Sequence, residues 1–182
     1  IIREFFSNGK DEETRGHKLE ISEVDEIPDL RDEPSGWTTV YIGMTREIAE
    51  AWKNKDLYLR PELGSRDVVI RDEKPVTLVF CKGVQVHATD RPSLFSYNFS
   101  SIGLTEERKV SDTWSMIWEI KRMILRDPVA ARTLIEKIQA SDTTWFEFMD
   151  TDWSSLPWDE GISQNVKEAL ADSGGKPIRG IG

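Results

Sequence analysis

Apolar and polar positions follow a β-strand pattern most clearly between residues 67 and 99. β-Branched and aromatic residues form short runs there, and turn formers bound each run, which is typical of strands. We therefore predict strands at 67–71, 76–81, 84–88 and 94–99. Lys82-Gly83 joins the second run to the third as a two-residue loop in which glycine accepts a positive φ, so the sequence predicts a hairpin over 76–88.

Helical spacing replaces this pattern from Thr105 onward. Asp127-Pro128 is typical of an N-cap followed by a proline in the first helical turn, so it separates two predicted helices that form a helical hairpin. Ser111 or Asp112 would cap the first helix. Its predicted apolar face contains Trp114, Ile117, Ile120 or Lys121, and Ile124, with Trp118 at its side. The spacing of apolar residues predicts a further short helix at about 163–171.

Strands come first and helices follow, without a regular βαβ alternation, which indicates an α+β fold. We expect a mainly antiparallel sheet packed against the C-terminal helical hairpin and the further short helix. With 182 residues the chain is long enough for one buried core, so we predict a single domain over 1–172. Residues 1–36 form an acidic segment whose order the sequence leaves open, and 173–182 are expected to be a flexible tail.

The net charge of −9 is concentrated towards the two ends of the chain. Residues 1–36 carry five basic and eleven acidic side chains, and residues 141–172 carry one and eight, whereas 37–140 are nearly neutral. This balance argues against nucleic acid and anionic lipid as partners, because both are bound largely through Lys and Arg. No apolar run is long enough to cross a bilayer. We therefore expect a protein partner with a basic surface.

Cysteine and histidine are scarce, since Cys81, His17 and His87 are the whole supply. A zinc site needs clustered ligands of these types, so we predict no metal and no other cofactor. The single cysteine favours a reducing, intracellular location, which we take to be the cytoplasm. His87 is predicted close across the hairpin from Cys81; a reactive Cys–His pair would need a third orienting group, and ordinary packing is the alternative.

A strand is also predicted at 37–42, ending at Gly43 before a short helix that Thr45 would cap. Tyr41-Ile42-Gly43 resembles the second half of the GIY-YIG nuclease signature. The resemblance implies that Tyr41 lies beside a metal-bound water. The family's first element, Gly-Ile-Tyr, has no counterpart among the charged and turn-forming residues that come before, and an ordinary strand end is the alternative.

A second nuclease pattern, PD-(D/E)xK, can be fitted to Pro28-Asp29 and Asp72-Glu73-Lys74. In such sites two acids hold a divalent metal and the lysine acts on water. Pro75 follows Lys74 directly and would end the strand, so a solvated turn is the alternative. A small metal-dependent nuclease or other carboxylate-based hydrolase is therefore our second functional hypothesis, with candidate residues Tyr41, Asp72, Glu73 and Lys74. A viral or phage structural or regulatory protein is the third.

The most unusual segment is 144–160, which holds three Trp, two Phe and one Met among five acids. Aromatic and Met side chains are enriched at interface cores, and surrounding acids steer basic partners. Its end, Leu156-Pro157-Trp158-Asp159-Glu160, is similar to the short tryptophan-acidic peptides that bind helical-repeat adaptors.

Our first functional hypothesis is therefore a non-enzymatic protein-binding domain of inhibitor, immunity or accessory type. Its predicted binding residues are Trp145, Phe148, Asp152, Trp153, Trp158, Asp159 and Glu160. The alternative is that the first aromatic residues of the segment are core residues of a strand, and that Trp153 and Trp158 anchor a loop across the helices.

Overall fold

The computed structural model describes residues 8–9, 22–26, 39–142, 144–149 and 158–174. The chain divides into two compact units, residues 1–59 and residues 60–182. A single domain over 1–172 therefore stays a prediction. The predicted strand at 37–42 is absent from residues 39–42, which have no regular secondary structure, and residues 37 and 38 lie outside the described part of the chain.

The first unit contains helix α1, Arg46–Lys53, and a 3-10 turn at Lys55–Leu57. Thr45 caps α1 as predicted, since its hydroxyl accepts a hydrogen bond from the backbone N–H of Ile48 at 3.3 Å. Glu47 in the first turn and Lys53 in the last turn complement the helix dipole. Local capping and charge therefore define this short helix.

The second unit contains a four-stranded sheet in the order β1-β4-β2-β3. The strands are β1 Val68–Ile70, β2 Thr77–Cys81, β3 Val84–Thr89 and β4 Ser96–Phe99. The β2–β3 hairpin and the β1–β4 pair are antiparallel, as predicted, whereas β2 and β4 are parallel. The sheet is therefore mixed, because residues 90–95 lead the chain from β3 to the far side of β2.

The hairpin turn has the geometry that its two residues predict. Lys82 and Gly83 have φ values of 52° and 78°, as a two-residue turn between twisted strands requires. The buried side chain of Asn98 on β4 accepts a hydrogen bond from the N–H of Gly83 at 2.8 Å, and donates one to the carbonyl of Gly64 at 3.1 Å. This asparagine therefore joins the hairpin turn to the loop that precedes β1.

Three helices follow the sheet: α2 Thr113–Arg126, α3 Pro128–Gln139 and α4 Glu160–Asp172. Asp112 and Asp127 cap α2 and α3 with their carboxylates, which confirms the helical hairpin. Helix α4 begins three residues before the predicted position, because Asp159 accepts a hydrogen bond from the N–H of Ile162 at 2.8 Å and so caps it. Of the predicted tail, Ser173 and Gly174 are the residues described.

The helices and one face of the sheet share a hydrophobic core. Strand β2 is buried on both faces: Val79 belongs to this core, whereas Leu78 and Phe80 belong to a smaller cluster with Leu63 on the opposite face. Helices α2, α3 and α4 also pack on one another. The second unit therefore has an α+β architecture, with a helical layer on one face of the sheet.

Replacing Gly83 with alanine should destabilise the second unit by at least about 2 kcal/mol. A side chain at positive φ costs about 1–2 kcal/mol, and a Cβ there would also overlap the carbonyl group of Arg60. Gly161→Ala is the matched control, because its Cβ meets only an ordinary contact in α4, where alanine favours the helix by about 1 kcal/mol. Urea unfolding measures both; equal stabilities of the two variants would contradict the turn geometry.

Candidate functional site

The first half of the predicted binding segment lies largely in the core. Phe146–Phe148 form a 3-10 turn, and not the strand that the sequence suggested. Phe148 is only 6% exposed, so its predicted place on a binding surface is corrected: the ring packs inside the protein. Trp145 is half-buried, with its indole N–H bonded to Asp142 at 2.8 Å and the Lys137 ammonium 4.7 Å from the ring centroid.

The described end of the segment, residues 158–160, is more exposed. Trp158 is half-buried and packs against the core, whereas Asp159 and Glu160 are exposed at the start of α4. The Asp159 carboxylate also forms a 2.7 Å ion pair with Arg126 at the end of α2. Asp152 and Trp153 lie outside the described residues. Binding through Trp145, Trp158, Asp159 and Glu160 stays a prediction.

The 3-10 turn carries a buried carboxylate that no local sequence pattern predicts. Glu147 is 2% exposed, although its position between two phenylalanines is typical of an outward-facing residue. One carboxylate oxygen accepts hydrogen bonds from the Ser93 hydroxyl at 2.7 Å, the Leu94 N–H at 3.1 Å and the Tyr97 hydroxyl. The other oxygen is buried and has no hydrogen-bond partner among the residues that the structure describes.

These three donors compensate part of the desolvation cost of the carboxylate, which for a buried ion is several kcal/mol. Burial raises the pKa of Tyr97 well above its usual value, and the nearby charge and hydrogen bond of Glu147 raise it further. Tyr97 therefore remains a protonated donor. Because Ser93 and Tyr97 are fully buried, the cluster is closed to a substrate, and its role is to attach the 3-10 turn to β4.

The nuclease candidates in 72–74 do not converge on an open site. The Asp72 carboxylate accepts the N–H of Ser96 at 3.2 Å and forms ion pairs with Arg60 at 3.2 Å and Lys74 at 3.7 Å. Glu73 is exposed, and Lys74 forms a β-bridge with Ser93. Across the described ranges, no group of three His, Cys, Asp or Glu side chains could hold a metal ion.

The remaining candidates are distributed elsewhere. Tyr41 is half-buried in the first unit, and Pro28-Asp29 lies outside the described residues. In the hairpin, His87 is opposite Val79, whereas Cys81 is opposite Val84, so the register does not place the two directly across from each other. Lys82 and Gly83 alone join the two strands, which places Cys81 opposite Val84, and the irregularity between Val79 and Phe80 places His87 opposite Val79. Burial lowers the pKa of His87, which favours its neutral form.

Helix α2 carries a feature that the sequence assigned to the core. Ile117, Ile120 and Ile124 are buried as predicted, but Trp114 is 59% exposed, so its place on the apolar face is corrected. At about 100° per residue, Trp114 lies within about 20° of the buried Leu125. The same flank of α2 is therefore covered at its C-terminal end and open at its first turn.

Further residues continue this flank towards the start of α4. Trp118, one turn after Trp114, is half-buried, and Arg122 on the next turn pairs with Glu119 at 2.8 Å. The N–H of Ile162, the guanidinium of Arg126 and the charge of Arg122 all lower the pKa of Asp159. We use the name α2 face for Trp114, Trp118, Asp159 and Glu160.

None of the helices in the described ranges is long and apolar enough to cross a membrane. Comparisons with protein-family models, with curated proteins and with solved structures find no match to this chain.

Replacing Glu147 with alanine should lower the free energy of unfolding by about 3 kcal/mol or more. The Leu94 N–H and the Tyr97 hydroxyl lose their acceptor, and each unsatisfied buried group costs about 1–3 kcal/mol, whereas the Ser93 hydroxyl keeps the Phe95 carbonyl at 2.7 Å. Urea denaturation measures this loss against Glu73→Ala, a control at an exposed position where a change within about 0.5 kcal/mol is expected. If both variants lose the same small amount, the cluster does not anchor the turn.

The alkaline stability of the protein should depend on Tyr97. The pKa of Tyr97 is higher in the folded chain than in the unfolded chain. The Tyr97 hydroxyl therefore contributes its full stabilisation below about pH 10, and this contribution is lost as the pH rises towards the folded-state pKa. The difference in unfolding free energy between the wild-type chain and Tyr97→Phe should therefore shrink above about pH 10. Tyr58→Phe, at an exposed tyrosine, should show no such trend. If the difference in unfolding free energy between the wild-type chain and Tyr97→Phe stays constant with pH, the pKa of Tyr97 is not raised in the folded state.

Proposed function

We propose that this chain is a non-enzymatic protein-binding domain that recognises a basic partner through the acidic-aromatic α2 face. The observation that supports the proposal is the exposure of Trp114 on a flank of α2 that is buried further along the helix, at Leu125. Tryptophan is enriched at the energetic centres of protein interfaces, where its large apolar ring fills a pocket. An inhibitor, immunity-type or accessory subunit would use such a surface.

The charges around Trp114 favour a basic partner. Asp112 caps α2 two residues before Trp114, Glu119 lies further along the same helix, and Asp159 is the N-cap of α4. Arg122 pairs with Glu119 and Arg126 pairs with Asp159, whereas Glu160 is a further exposed acid. The α2 face is therefore apolar at its centre with an excess of acid around it, which complements a pocket bordered by Lys and Arg.

The proposal changes the residues that the sequence indicated. It retains Asp159 and Glu160, adds Trp114 and Trp118, and excludes Phe148, whose ring is buried. Trp145, Asp152, Trp153 and Trp158 keep their predicted role outside the α2 face. A cytoplasmic location suits the single cysteine, Cys81, which is buried.

Trp114→Ala should weaken partner binding while leaving stability nearly unchanged. Peptides selected from a random library against the intact chain should be rich in Lys, Arg and apolar residues, and we expect their Kd for Trp114→Ala to rise by about tenfold or more. Val129→Ala, at an exposed apolar residue at the start of α3, is the matched control and should bind normally. Fluorescence anisotropy of labelled peptides measures the affinities.

Two results would contradict the proposal. Selected peptides that bind Trp114→Ala as tightly as the wild-type chain would show that the indole is not part of the site. A clear rise in melting temperature with Mg²⁺ or Mn²⁺, abolished by Asp72→Asn, would instead favour the metal-dependent nuclease hypothesis, because a ligand that binds only the folded state stabilises it.

A further inference from the structure

We draw no further inference here: the strongest candidate, the buried Glu147 carboxylate oxygen in the 3-10 turn between α3 and α4, which has no hydrogen-bond partner among the residues that the structure describes, belongs to the closed cluster already described, where Ser93 and Tyr97 are fully buried and leave no access for a ligand.

Discussion

The hydrogen bonds of Glu147 to Ser93, Leu94 and Tyr97 hold the second unit together at the point where its two layers meet. The 3-10 turn that carries Glu147 comes between α3 and α4 in the chain, so its attachment to β4 fixes the helical layer against the sheet. Strand β4 is also held on its other side, where Asn98 binds the hairpin turn and the loop before β1. Polar contacts thus position β4, whereas apolar side chains form most of the buried core around it.

Two carboxylates of this unit serve its structure. Glu147 and Asp72 each bind three neighbouring groups, from side chains and from the backbone. Among the described residues of the second unit, the large apolar side chains that are exposed, Trp114 and Val129, lie in the first turns of α2 and α3. The exposed indole at the start of α2 is the feature on which the proposed binding function depends.

Local signals made the second unit largely predictable. Lys82-Gly83 encodes its own turn, and Asp127-Pro128 encodes the boundary between α2 and α3, so the hairpin and the helical hairpin follow from adjacent residues. The parallel pairing of β2 with β4 could not be predicted, because it depends on how the 90–95 connection crosses the sheet. The exposure of Trp114 was missed for a related reason: helical periodicity gives the angle of a side chain, but not where the covering layer ends. Glu147 contacts Tyr97, fifty residues away in sequence, and no local pattern reports such a contact.

The sharing of one Glu147 oxygen by several donors has an evolutionary consequence. Loss of Glu147 leaves the Tyr97 hydroxyl and the Leu94 N–H without this acceptor, whereas after loss of Ser93 or Tyr97 the oxygen still has other donors. The Leu94 N–H belongs to the backbone and stays in place whatever side chains occupy 93 and 97. Position 147 should therefore change more slowly than 93 or 97 as the sequence diverges.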